Sequence, residues 1–127
     1  MPYDITVDHL SRTIVVTGTG SGTTADTLRL IADHQETFRS HPGFHLLYDS
    51  TQLQVVSSPT DMMAVANALF EEARVSFRKI AIVVPDTRIE LARIFTALAD
   101  PYGISANVFT DVGDARRWLG IDPLRGT

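Results

Sequence analysis

Apolar residues recur at two spacings along this chain, and the switches between them outline its elements. Tyr3 to Asp8 and Thr13 to Gly18 are short β-rich runs, joined by a polar link of hairpin size, His9-Leu10-Ser11-Arg12. The Gly/Ser/Thr stretch from Gly18 to Thr24 reads as a turn. Leu28, Ile31, Ala32 and Phe38 then follow helical spacing until His41-Pro42-Gly43 stops the helix. Thr23, with Asp26 three residues on, is a capping pair for its start. Phe44 to Tyr48, ending at Asp49, has the compact apolar pattern of a buried strand. From Ser50 to Ser57 the pattern fits a short extra strand or a packed loop equally well.

The second half is clearer. Ser58-Pro59-Thr60-Asp61 is a helix start, with a capping serine, proline at the first helical position and an acid in the first turn. Met62, Val65, Ala66, Leu69, Phe70, Ala73 and Phe77 mark one apolar face. Ile80 to Val84 is β-branched and nearly all apolar, which predicts a central strand. Thr87 with Glu90 reads as a second capping box, opening a helix with Leu91, Ile94, Phe95 and Leu98 on one face and ending at Pro101 and Gly103. Ile104, Ala106 and Val108 alternate with Ser105 and Asn107, as in a half-exposed strand near a sheet edge. Asp111 caps a last short helix bearing Ala115, Trp118 and Leu119, closed by Gly120.

The order β-β-α-β-α-β-α-β-α predicts an α/β domain with a mixed five-stranded sheet. Strands joined through a helix should be parallel, and only the first hairpin antiparallel. No repeat or linker divides the chain, so residues 1–127 are expected to form a single domain.

Composition changes this picture only by exclusion. Hydrophobic residues make up 44% of the chain and charged residues 20%, an ordinary globular profile. The absence of cysteine excludes disulfides, thiol nucleophiles and thiolate metal sites. A net charge of −4 without a basic cluster speaks against nucleic acid as a partner. Met1 to Leu10 lacks the features of a signal peptide, and no apolar run approaches the ~20 residues of a membrane span, so a cytoplasmic location is expected.

The run Phe77-Arg78-Lys79-Ile80-Ala81-Ile82-Val83-Val84, then Leu91-Ala92-Arg93-Ile94-Phe95, then Val108-Phe109-Thr110-Asp111 and Ala115-Arg116-Arg117-Trp118-Leu119 resembles the SpoIIAA-like (STAS-type) family. Members commonly carry a KIAVV strand, a helix with phenylalanine, and a closing F-x-x-x-x-x-A-x-x-W-L segment. The resemblance covers residues 77 to 120 in motif and the first half in element order. It implies a β-α superhelix with helices mainly on one side of the sheet. It also implies two non-enzymatic roles, which the residues leave open. One is a protein-interaction switch, like the anti-sigma-factor antagonists, acting through a partner or as a homodimer. The other is a carrier of a small apolar ligand, like the related lipid-transfer (CRAL-TRIO-type) domains, and needs a cavity of roughly 300 Å³ or more.

A dinucleotide loop beginning at Gly18 would need glycine where Thr23 stands, and a phosphate loop would need a lysine before Thr23 or Thr24. Neither NAD nor a nucleoside triphosphate is therefore expected, which leaves Gly20, Gly22 and Thr23 as a candidate anion loop at a helix N-terminus. His41 and His45 are four apart, but Pro42-Gly43 forbids the helix that would pair them as metal ligands. No catalytic set of nucleophile, base and orienting group can be assembled, and no cofactor or metal is expected. In the anti-sigma antagonists a phosphorylated serine lies in a D-S-S-G-like segment, and Val56-Ser57-Ser58-Pro59 stands in the same place. Ser57 and Ser58 are thus candidate modification or interaction sites, although capping alone accounts for Ser58. For an apolar ligand the pocket candidates are Met62, Met63 and Phe70, because methionine adapts to irregular apolar shapes.

Overall fold

In the computed structural model, which describes residues 2–55 and 58–121, five strands form one sheet in the order β1-β2-β3-β4-β5. β1 (Tyr3–Asp8) and β2 (Thr13–Gly22) make the expected antiparallel hairpin. β3 (Phe44–Val55), β4 (Phe77–Val83) and β5 (Ser105–Phe109) then add in parallel, each reached through helical segments. The mixed α/β sheet expected from the sequence is what the chain builds.

Two strands run further than their composition suggested. β2 continues through the glycine stretch, which is therefore not a turn: Gly20 pairs with Leu53 and Gly22 with Val55. β3 likewise spans the ambiguous segment as one strand. Between Thr17–Asp49 and Thr19–Gln52 the register shifts, because β3 carries one more residue than β2. Asp49 stabilises this bulge by accepting hydrogen bonds from the Thr51 amide (3.0 Å) and hydroxyl (2.7 Å). The extra residue reverses the side-chain alternation, so Leu53 packs into the core while Gln52 and Gln54 are exposed.

The helices begin with local caps. Thr23 opens α1 (Thr24–Asp33) and Ser58 opens α3 (Pro59–Ser76), each with a reciprocal capping box, to Asp26 and Asp61 respectively. Asp111 caps α5 (Val112–Leu119), and Gly120, at φ +80°, closes it. The single helix expected before His41 is broken in two. His34 leaves helical geometry after α1, its ring bonds the Leu30 carbonyl, and a short α2 (Gln35–Arg39) restarts with Phe38 buried. The Thr87–Glu90 box does not form either. Residues 86–88 make a 3₁₀ turn, so Thr87 lies within it rather than before the helix, and α4 (Ile89–Ala97) starts after Arg88 without a side-chain cap.

The two sheet faces are unequally covered. Ile14, Val16, Leu46, Leu53, Ile80 and Ile82 meet α1, α2, α3 and α4 in the main core. On the other face Leu47, Ala81 and Val83 pack only against α5, through Ala115, Leu119 and Trp118. Helices thus lie mainly on one side. Across the main layer, buried Glu72 of α3 accepts two 3.1 Å bonds from Arg39 of α2 and one of 2.7 Å from Ser76. Among the described residues no helix is long and apolar enough to cross a membrane.

Candidate functional site

The main core is not filled completely. Between the sheet and helices α1, α3 and α4 lies a cavity of about 110 Å³. Its floor is Val16 of β2, Leu46 and Tyr48 of β3, and Ile82 and Val84 at and beyond the end of β4. Its walls are Leu30 and Ile31 of α1, Phe38 of α2, Met62, Val65 and Leu69 of α3, and Ala92 and Phe95 of α4. Strand alternation and the helical spacing of positions 62, 65 and 69 place these side chains on the inward faces. The volume is well below the roughly 300 Å³ of a lipid-sized pocket. It is closer to the roughly 150 Å³ that accommodates a benzene ring.

One end of the cavity is polar. Thr24, Thr27, Tyr48, Ser50 and Arg88 complete its lining. This end coincides with the carboxyl ends of the parallel strands, where open α/β sheets place ligands. The Thr27 hydroxyl lies 2.7 Å from that of Tyr3, and the Tyr3 and Tyr48 rings are 6.0 Å apart between centroids. Burial pushes the Tyr48 phenol well above the usual tyrosine range, so it remains a neutral hydroxyl. Ser50 donates to the Val83 carbonyl at 3.0 Å, tying β3 to β4. Arg88 donates from Nη2 to the carbonyls of Ser50 and Leu53, the latter at 2.8 Å, and so grips the bulge of β3 from both sides.

Beyond Arg88 the surface opens into a cleft of about 680 Å³, lined by Ser21, Gly22, Thr23, Thr51, Gln52, Leu53, Gln54, Pro85, Thr87 and again Arg88. Arg88 is the one residue common to both linings and the one charged side chain in either, among the described residues. Desolvation makes it less basic than a free guanidinium, though it stays charged.

The residues singled out from the sequence scatter around this site. Met62 lines the cavity. Met63 does not: it is 58% exposed. Phe70 does not either, because it is fully buried against Phe95 and Tyr102. Both lie about 80–100° round α3 from Met62, which turns them away from the cavity. Gly22 and Thr23 border the cleft, while Gly20 does not. The Thr23 amide already donates to Asp26 at 3.0 Å, so the start of α1 carries its own carboxylate. Ser58 is exposed and serves as the N-cap of α3. Ser57 lies outside the described residues.

Sequence reasoning missed Tyr48, Ser50 and Arg88. Position offered the only signal, since Arg88 follows the carboxyl end of the strand read as central. Among the described residues no group of three or more histidines or carboxylates could hold a metal ion. The large exposed apolar side chains, Leu10, Met63, Val75 and Ile94, stand on the hairpin, α3 and α4. Met63 and Val75 are about 18 Å apart along their helix, too far to form one patch with each other.

A profile of the SpoIIAA-like family matches residues 13–120. No curated protein matches the chain. Among solved structures, the chain is similar to an uncharacterised protein of the DUF3478 family with a SpoIIAA-like fold, from Shewanella loihica PV-4. The TM-score is 0.61 at 20% identity, over 92% of this chain and 91% of that one. At that identity the likeness concerns the fold.

Proposed function

The chain belongs to the SpoIIAA-like family, and from that premise we propose that it is a non-catalytic binding module for one small apolar ligand. The observation that carries this reading is the cavity of about 110 Å³ between the sheet and α1, α3 and α4. A gap of that size in a core costs dispersion contacts on every wall, a loss that an occupant would restore. Its walls are apolar and its polar groups converge at one end, which is the anatomy of a small-molecule site. The size selects a short or branched chain rather than a full lipid tail.

The test is extraction and mass spectrometry of freshly purified protein. Wild type should carry a small organic molecule approaching one per chain. Met62→Trp, whose ring fills the cavity from the half-buried end of α3, should lose it while remaining folded. Equal organic content in both proteins would contradict the reading.

A further inference from the structure

The placement of Arg88 says more about the occupant than the cavity alone does. Arg39, Arg74, Arg93 and Arg117 each pair with a carboxylate. Arg88 has no carboxylate partner among the described residues, and it donates instead to the two backbone carbonyls of the β3 bulge. Carbonyls orient a guanidinium without cancelling its charge. Both bonds use Nη2, so the Nε and Nη1 hydrogens have no partner among the described residues. The result is a fixed positive charge where a nearly all-apolar cavity meets an otherwise uncharged cleft. A charge held half out of water without a counter-ion is costly, and an arriving anion offsets that cost. Tyr48, a neutral phenol, lines the same cavity.

Resting on the binding-module reading above, we infer that the ligand is a small monocarboxylic acid, with a short apolar body in the cavity and its carboxylate on Arg88. Size and charge agree on this class. A long-chain acid would exceed the cavity, and a neutral molecule would leave Arg88 uncompensated. A second charged group would find no partner in the cleft lining.

The probes are 3-methylbutanoate and its neutral counterpart 3-methylbutan-1-ol, titrated into the full chain and followed by methyl NMR. Wild type should bind the acid at least about tenfold more tightly than the alcohol, the size of a charge-assisted hydrogen bond. Arg88→Gln should abolish that preference, so that acid and alcohol bind to it about equally. Arg88→Lys, which keeps the charge without the fork, should fall between them. Unchanged signals from Leu47 and Leu119 on the far face would verify that each variant is folded. If the variants do not fold, the wild-type preference decides alone. Equal binding of acid and alcohol would overturn the carboxylate inference and leave the binding module standing. Binding of neither would overturn both.

Discussion

The Cβ that Gly18 lacks would lie 3.1 Å from Cδ2 of Leu53 and 3.3 Å from the Tyr3 ring. Those two side chains cross β2 at that point, and Gly22 makes room for them a second time. Gly18→Ala should therefore destabilise the protein by about 1–2 kcal/mol, the cost of forcing a packed core apart, despite alanine's lower conformational entropy. Urea unfolding measures it. An unchanged or raised midpoint would mean that Leu53 yields freely.

Helix caps give a paired prediction. Ser58→Ala removes the acceptor of the 3.1 Å bond from the Asp61 amide and should cost about 0.5–2 kcal/mol, with Ser58→Gly milder. Thr87→Ala should stay within about 0.5 kcal/mol, because Thr87 sits inside the 3₁₀ turn and caps nothing. Equal losses at the two positions, read by thermal or urea unfolding, would contradict the assignment.

Arg39→Ala should destabilise the protein by about 1–3 kcal/mol. It removes the two bonds to buried Glu72 and leaves that carboxylate the bond that Ser76 donates. The Arg39 side chain is 59% exposed, which keeps the loss below that of a fully buried pair. In an Arg39→Ala background, Glu72→Gln should recover part of the loss, because the uncompensated charge is then gone. A further loss on adding Glu72→Gln would show that Arg39 matters through packing alone.

His45 supplies a pH dependence. Burial, and then the positive charges of Lys79, Arg78 and Arg12, hold its imidazole below the usual value of 6.5. Below that pH the unfolded chain binds a proton more readily than the folded one, so stability falls as the solution is acidified. Above it, both states are neutral and the contribution vanishes. His45→Gln should flatten the decline in the urea midpoint between about pH 6.5 and 5. An identical slope in the variant would exclude His45 as its source.

Whatever depended on local chemistry could be read in the chain. The pairing of Tyr3–Asp8 with the run from Thr13 to Gly18, the Thr23, Ser58 and Asp111 caps, and the apolar β4 each follow from neighbouring residues and appear as expected. What depended on a distant partner could not. The glycines of β2 look like a turn until Tyr3 and Leu53 are seen to need the space. Residues 50–55 do not continue the alternation of Phe44 to Asp49, because the bulge between Asp49 and Gln52 reverses which positions face the core. On α3, Met62 and Met63 are equally apolar, and only packing against the sheet and α4 decides which of them meets the cavity. Arg88 looks like any surface arginine until the β3 carbonyls that it holds are in view.

Entry of the ligand on one face of the sheet and not the other can be read by mapping methyl NMR shifts during titration with 3-methylbutan-1-ol. The cavity reading predicts shifts at Val16, Leu46, Leu69 and Ile82, with Leu47, Val83 and Leu119 on the opposite face unmoved. Shifts spread over both faces, or confined to the α5 side, would contradict it.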